Sequence, residues 1–189
     1  MGYTDILYKL KHVGENVHIS SNAYIRYPEL VEIGNNVVID EFVHITTALK
    51  MNDFIHIGPH VSIIGGRNSQ LIMEDFSGLM AGARIVCTTD DLSGKNLTSI
   101  TIPTKFRPDA THSVVKIGRH GIVGTNSVVL PGVEIGDGSV IGTMSLAIKN
   151  VPAWGIYFGI PVRKIDNRDK KTLLLEEENF KKYSTEPKS

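Results

Sequence analysis

Residues 117–142 read IGRHGIVGTNSVVLPGVEIGDGSVIG, and every sixth position, counted from the first, is a large aliphatic residue. An α-helix would need apolar residues three and four apart along one stripe, and a flat strand would alternate at every second residue. Six residues fit one short strand plus one turn, so three such units would close a triangular coil of about 18 residues. The aliphatic residues of this row are Ile117, Val123, Val129, Ile135 and Ile141.

The same period fills an earlier block of the chain. Large aliphatic residues recur there at Ile33, Ile39, Ile45, Met51, Ile57 and Ile63. The chain also has 22 Ile and 17 Val against 13 Leu, and β-branched residues favour strands. Chance alternation in a β-sandwich would not keep this phase through two blocks. We therefore predict an all-β solenoid whose inward side chains form one buried column, comprising Ile33, Ile39, Ile45, Ile57, Val123, Val129, Ile135 and Ile141.

Breaks in the repeat mark insertions. Two extra residues lie near Arg26–Glu29, and the register slips again between Ile63 and Met73, which predicts turn-sized insertions. A long break follows Val86 and reads CTTDDLSGKNLTSITIPTKFRPDATHS, with little periodicity. Long irregular segments inside a compact domain are usually functional or disordered. We interpret residues 87–114 as a functional arm, and a disordered insertion is the alternative.

The repeat stops near Val151, which divides the chain into a solenoid domain at 1–152 and a C-terminal segment at 153–189. The segment begins with prolines and glycines that indicate an extended wrap. It continues as DNRDKKTLLLEEENFKKY, which lacks Pro and Gly and predicts a helix at roughly 167–183. We expect this helix to cap the last coil, because an open end would expose the core and unpaired strand edges.

Composition excludes several classes of protein. Lys and Arg number 20 and Asp and Glu number 20, so the chain lacks the basic surface that nucleic-acid binding requires. No apolar run approaches the roughly 20 residues that cross a bilayer. The start, MGYTDILYKLKHVG, has no apolar region of a secretory signal. Cys87 is the only cysteine, so no intrachain disulfide is expected, and we expect a reducing, cytoplasmic compartment.

The repeat follows the signature [LIV]-[GAED]-x-x-[STAV]-x. The segment from Ile117 to Ile165 adds "LPGV-IG-GSVIG", then K-x-x-P at Lys149–Pro152 and G-x-P-x-R at Gly159–Arg163. The chain therefore resembles the hexapeptide-repeat acyltransferases, in particular galactoside and maltose O-acetyltransferases, xenobiotic acetyltransferases and nucleotide-sugar acetyltransferases. The resemblance implies a left-handed parallel β-helix. It also implies a homotrimer that binds acetyl-CoA in the cleft between neighbouring subunits.

The resemblance also suggests which residues bind acetyl-CoA. Small residues at the turns would let the pantetheine of acetyl-CoA lie flat along the prism. In the family, the residues that match Thr125 and Thr143 line this channel. Lys149 matches a turn lysine of the family, and two cations that follow the G-x-P motif could bind the 3′-phosphate. The alternative is that these cations are solvated surface charges. The predicted set is Gly124, Thr125, Gly142, Thr143, Lys149, Arg163 and Lys164.

Catalysis is where the sequence departs from the family. The family's general base is a His early in the long loop, and at the matching place this chain reads Cys87-Thr88-Thr89-Asp90-Asp91. Adjacent carboxylates can raise each other's pKa, so Asp90 or Asp91 is a candidate base; the alternative is that the pair begins a turn. His112 is the second candidate, unless it is only an exposed bystander. We do not expect Cys87 to act as a nucleophile.

The sequence thus predicts acetyl transfer from acetyl-CoA to a hydroxyl or amine of a sugar or nucleotide-sugar, without a metal. The missing loop His favours an amine, which is a nucleophile once neutral, over a weakly acidic hydroxyl. The alternative is a non-catalytic or metal-dependent scaffold of the γ-carbonic-anhydrase-like branch. That branch needs three His on facing turns, and the spacing of His56 and His60 does not fit it.

Overall fold

A computed structural model describes residues 9–107 and 110–185, and it is a left-handed parallel β-helix of about seven turns. The predicted solenoid is confirmed. Parts of the predicted segments lie outside the described residues, namely 1–8 of the solenoid domain, 108–109 of the arm and 186–189 of the C-terminal segment.

Each coil gives one strand to each of three sheets. Sheet A contains β1 (His12–Val13), β4 (Val31–Ile33), β7 (Ala48–Met51), β10 (Gln70–Met73), β15 (Val114–Ile117) and β18 (Glu134–Ile135). Sheet B contains β2 (Val17–Ile19), β5 (Val37–Ile39), β8 (His56–Ile57), β11 (Gly78–Leu79), β16 (Ile122–Val123), β19 (Val140–Ile141), β21 (Gly155–Phe158) and β22 (Arg163–Asn167). Sheet C contains β3 (Tyr24–Ile25), β6 (His44–Ile45), β9 (Ser62–Ile64), β12 (Arg84–Val86), β17 (Val128–Val129) and β20 (Leu146–Ala147).

Smaller elements lie outside the three sheets. The arm contains β13 (Thr88–Thr89) and β14 (Thr111–His112), and short 3-10 turns cover Pro28–Leu30 and Thr104–Phe106. The helix α1 spans Lys170–Thr185. In the described part of the chain, no helix is both long enough and apolar enough to cross a membrane.

The interior is the predicted column of aliphatic side chains. Successive coils pair in parallel with matched register, so that Ile117 lies beside Ile135 and Val123 beside Ile141. All eight residues predicted for the column are fully buried. Stacking at the strand separation of about 4.8 Å places each inward side chain directly over the next, which excludes water from the whole length of the prism.

We name the corners by the sheets they join, so the chain passes corners AB, BC and CA in each coil. Corner AB is a tight turn with a positive φ at one position per coil. Aromatic rings occupy that position in three successive coils. Phe54 stacks on Phe76 at 4.8 Å between ring centroids, and Phe76 stacks on His120 at 5.0 Å. These rings build a flat apolar ladder along one edge of the prism.

The insertions all lie at corner CA. The predicted insertion near Arg26–Glu29 contains the first 3-10 turn, between β3 and β4. The predicted slip between Ile63 and Met73 is a loop at 65–69, between β9 and β10, and the arm lies between β12 and β15. Both turn-sized insertions are thus confirmed. The solenoid tolerates extra residues there without disturbing its inward positions.

The helix is confirmed, but its predicted position over the last coil is wrong. α1 docks on corner AB, where the ring of Phe180 meets Phe54 and Phe76 edge-on at 5.3 and 6.2 Å between centroids. The stacked rings provide the apolar surface that the sequence alone did not place. At the end of the solenoid, β22 pairs antiparallel with β21 instead.

An ion cluster joins α1 to the same corner. Glu177, 8% exposed, accepts hydrogen bonds from Arg119, from His120 Nε2 at 2.7 Å and from Lys181 Nζ at 2.5 Å. Burial raises the pKa of Glu177, but the bonds from Lys181, Arg119 and His120 outweigh it and lower that pKa to about 2. Arg119 also pairs with Asp75 at 2.5 Å. Glu177 therefore links the helix to the solenoid as an ionised group.

Ile135→Asp is expected to abolish folding, because it would place an unpaired carboxylate inside the aliphatic column. Circular dichroism and gel filtration of the purified variant measure the loss of structure. Ile135→Val, the matched control, removes one methylene and is expected to lower the free energy of unfolding by only about 0.5–1.5 kcal/mol. A folded Ile135→Asp protein would contradict the burial of this position.

Glu177→Gln is expected to lower the free energy of unfolding by about 1–2 kcal/mol near neutral pH, because the ion pairs are only partly buried. The folded pKa of Glu177, about 2, lies below its ordinary value of 4.5. As the pH falls, the unfolded chain is therefore protonated first, and the carboxylate's contribution is lost between these two values. Urea titrations across that range should show the wild type converging on the variant, while the exposed control Glu178→Gln tracks the wild type throughout.

Candidate active site

The arm leaves the solenoid as a two-stranded ribbon. The Cys87 N–H donates to the Ile64 carbonyl at 2.7 Å, and the Ser113 N–H donates to the Cys87 carbonyl at 3.0 Å. Beyond this root, β13 and β14 pair antiparallel, with Thr88 opposite His112. The ribbon fixes the root of the arm at corner CA, while its outer part is largely exposed.

His112 lies at the root of the arm against the 65–69 loop. A Cβ built on Gly66 would lie 3.5 Å from His112 Cε1, so the ring packs over this glycine. Its Nδ1 is 3.5 Å from the Thr88 hydroxyl, which donates to the Thr111 carbonyl at 3.0 Å. The imidazole is exposed, so its ring is open to a ligand lying along the corner.

The two neighbouring aspartates have different environments. Asp91 accepts hydrogen bonds from Asn96 Nδ2 at 3.0 Å and from the Ser93 N–H at 2.9 Å, and these bonds lower its pKa. The shift at Asp91 is thus opposite to the rise that a base would need, and the bond from the Ser93 N–H is typical of a turn. Asp90 is half-buried, and among the described residues its carboxylate accepts one long bond, from the Ser99 N–H at 3.4 Å. Its carboxylate keeps most of its accepting capacity.

Cys87 is fully buried beneath the arm. Burial raises the pKa of its thiol to about 12. A nucleophilic cysteine needs a thiolate and access to the substrate, and this side chain has neither. Its part in the structure is to fill the core where the arm departs.

The glycines predicted to bind the cofactor stack on each other at corner BC. A Cβ on Gly124 would lie 2.7 Å from the Gly142 carbonyl carbon, and a Cβ on Gly142 would overlap the Phe158 ring. No side chain therefore fits at either position. The adjacent residues differ in exposure, since Thr125 is half-buried and Thr143 is exposed.

The predicted cations lie in two parts of the structure. β22 pairs Arg163 with Phe158 and Lys164 with Tyr157, and the ring of Phe158 lies over Gly142. Lys149 instead follows β20 at corner CA. The structure thus stacks two of the predicted residues, Gly124 and Gly142, at corner BC, places Arg163 and Lys164 on the terminal strand β22, and places Lys149 at corner CA.

Lys149 lines a cleft of about 290 Å³ that the sequence did not predict. Its lining is Ile148, Lys149, Asn150, Val151, Tyr157, Pro161 and Val162. The K-x-x-P and G-x-P-x-R motifs contribute most of this lining, so the signal was present in the sequence. The two motifs come together because the extended wrap folds back over β20, where the Val162 N–H donates to the Leu146 carbonyl at 2.9 Å.

Comparison with known proteins identifies the family. The chain is 33% identical over 169 residues to a dTDP-4-amino-4,6-dideoxy-D-glucose acyltransferase of Escherichia coli, covering 88% of this chain and 86% of that protein. The chain belongs to the hexapeptide-repeat acetyltransferase family. No protein-family model matches it. A putative lipopolysaccharide biosynthesis O-acetyl transferase of E. coli K12, WbbJ, is 26% identical and covers 84% of this chain and 80% of its own length.

Solved structures agree with this assignment. AntD of Bacillus cereus, an N-acyltransferase in complex with dTDP and 3-hydroxybutyryl-CoA, is 34% identical with a TM-score of 0.87 and covers 94% of each chain. A galactoside acetyltransferase in complex with coenzyme A, at 20% identity and a TM-score of 0.60, covers 90% of this chain and 71% of its own and shares the fold. Among the described residues, no three His, Cys, Asp or Glu side chains form a group that could hold a metal ion.

Proposed function

We propose that the protein is an N-acyltransferase that moves the acyl group of acyl-CoA, with acetyl-CoA as the donor, to the amino group of a dTDP-linked deoxysugar. The observation that carries the proposal is the identity of 33–34%, over nearly the whole chain, to two proteins. One is named for acyl transfer to a dTDP-4-amino sugar, and the other is an N-acyltransferase bound to dTDP and an acyl-CoA.

In the proposed reaction the neutral amine attacks the thioester carbonyl. The new C–N bond forms, the C–S bond breaks, and the thiolate of coenzyme A leaves. The amine's surplus proton passes to a base, and the thiolate takes up a proton. The enzyme contributes mainly by holding the two substrates in line, with the acceptor's proton near the arm.

Asp90 is the proposed base. It stands where the family's loop His would stand, and in the described part of the arm its carboxylate has one long hydrogen bond. Asp91 is less suited, because its hydrogen bonds stabilise the ionised form and so weaken it as a base. His112 remains the second candidate, since its exposed ring lies at the root of the same ribbon.

The proposed cofactor site uses both sides of sheet C. Thr125, Thr143 and Arg163 would contact the pantetheine and phosphates at corner BC, and Lys149 would contact the same ligand from the cleft at corner CA. Gly124, Gly142 and Lys164 complete the proposed set. Thr143 is exposed and Thr125 is half-buried, which supports access of a ligand to this corner.

We also propose that the protein is a cytoplasmic homotrimer in which the cofactor lies between subunits. The outward side chains of sheet B in the later coils are apolar and already half-buried, at Ile122, Val140 and Ile156. Sheet A presents several charged side chains outward instead, such as Lys50 and Glu134. A ring of identical contacts through the apolar faces would cover them.

Asp90→Asn is expected to lower kcat by about 10²–10⁴-fold, the usual effect of removing a general base, while the Kd for coenzyme A stays unchanged. The assay follows thiol release from acetyl-CoA with a dTDP-4-amino-4,6-dideoxy sugar as acceptor. Asp91→Asn is the matched control and should retain activity if its role is the turn. If Asp90→Asn and His112→Ala each keep wild-type activity, neither side chain is a necessary base.

Arg163→Ala is expected to raise the KM for acetyl-CoA about tenfold with kcat little changed, because a phosphate contact is equally strong in the ground and transition states. Initial rates at varied acetyl-CoA measure both constants. Lys50→Ala removes an exposed cation from the outward face of sheet A and should leave the KM unchanged. A fall in kcat at constant KM would contradict the assignment of Arg163 to phosphate binding.

A further inference from the structure

A cluster of two guanidinium groups and one aromatic ring lies at corner CA, on the N-terminal side of the arm. The Arg67 Cζ lies 4.8 Å from the centroid of the Tyr27 ring, and the Arg26 Cζ lies 5.8 Å from the same centroid. Arg67 Nη2 donates to Glu29 Oε1 at 2.7 Å. The Arg67 side chain is nevertheless 56% exposed, so a ligand in solvent can reach it.

Buried hydroxyl groups fix the loop that carries Arg67. Ser69, 2% exposed, accepts the Gly66 N–H at 2.8 Å, and fully buried Thr47 donates to the Ser69 carbonyl at 2.7 Å. These bonds close the 65–69 loop from beneath. Arg67 therefore projects from a rigid turn towards Tyr27, which is the preorganisation that a binding residue needs.

The solenoid itself does not need these two insertions. Between β6 and β7 the chain passes the same corner with only Thr46 and Thr47. The ion pair that joins the insertions is exposed on both sides, at 56% and 51%, and ion pairs this exposed to solvent contribute little to stability. Stability alone does not account for two loops that extend past the shortest turn to meet each other.

The cluster adjoins the candidate catalytic residues. Arg67 follows Gly66 directly, and the ring of His112 packs on Gly66. The proposed acyl-CoA residues lie in the coils after the arm, whereas this cluster lies in the coils before it. A nucleotide-sugar whose amine reaches the arm root would carry its diphosphate about one pyranose ring away, along this corner towards the N-terminus.

We propose that Arg67 and Arg26, positioned around Tyr27, bind the diphosphate of the nucleotide-sugar acceptor. The proposal rests on the proposed function and assigns its acceptor subsite. Arginine suits this role because its planar fork can donate two parallel hydrogen bonds to phosphate oxygens. Glu29 engages one nitrogen of Arg67 and orients the guanidinium, and the cluster keeps a surplus of one positive charge, two arginines against one glutamate.

Calorimetric titration of the full-length protein with dTDP, and separately with coenzyme A, tests the assignment. Arg67→Ala should weaken dTDP binding about 10–100-fold and Arg26→Ala by a similar or smaller factor, as expected for lost hydrogen bonds to a charged group. Arg67→Lys should recover part of the affinity. Coenzyme A binding should not change in any of the three variants. Lys116→Ala is the matched control, because Lys116 is an exposed cation paired with glutamates on sheet A, and it should bind dTDP like the wild type.

The remaining outcomes separate failure of the subsite from failure of the proposed function. If wild type binds dTDP and both arginine variants bind it equally well, the subsite is wrong and the proposed function stands. If wild type binds coenzyme A but neither dTDP nor UDP, the nucleotide-linked acceptor and this subsite both fail. If inorganic pyrophosphate competes with dTDP in wild type but not in the arginine variants, the diphosphate is the group that is recognised, as proposed. Loss of coenzyme A binding in Arg67→Ala would show a general structural effect and would overturn the assignment.

Discussion

Everything in this molecule depends on the stacking of one inward aliphatic side chain over another at the spacing of parallel strands. Each buried Ile or Val contributes about 1.5–3 kcal/mol relative to exposure, and the ring is repeated coil after coil. The interior is too narrow and too dry to accept a charged group without a partner. Chemistry is therefore confined to the corners and the outer faces, and the three corners serve different purposes.

Corner AB is built for docking. Positive-φ turns bring Phe54, Phe76 and His120 into register although they are 22 and 44 residues apart in the chain. α1 lies on this ladder, and Glu177 ties it there through charged hydrogen bonds. At corner BC, Gly124 and Gly142 stack so closely that neither position admits a side chain. Corner CA carries the insertions and the arm, because loops that leave the prism there do not alter the inward positions.

The sequence predicted those features that repeat locally. A period of six residues identified the column and the sites of insertion, because a strand and a turn are short and each copy carries the same signal. It did not predict where α1 docks, because the stacked rings at corner AB can be recognised only when the length of every coil, including the insertions, is known. The signal was nevertheless present, because Phe54 and Phe76 occupy matching positions of successive coils. For the same reason the sequence could not show that Lys149 lies at corner CA while Gly124 and Gly142 lie at corner BC.

The pair Asp90-Asp91 shows a different limit of sequence reasoning. Adjacent carboxylates are equivalent in the sequence, but the fold of the arm gives them different partners. Asn96 and Ser93 donate to Asp91, whereas among the described residues Asp90 accepts one long bond from Ser99. A carboxylate is a weaker base than an imidazole, which would be a handicap for deprotonating a sugar hydroxyl. An amine attacks before it loses its proton, and its nitrogen becomes far more acidic once the C–N bond forms. A weak base that is correctly placed then suffices, so a carboxylate at the position of the family's histidine is consistent with an amine acceptor. In the proposed arrangement this acceptor enters from the coils before the arm, and the thioester enters from the coils after it.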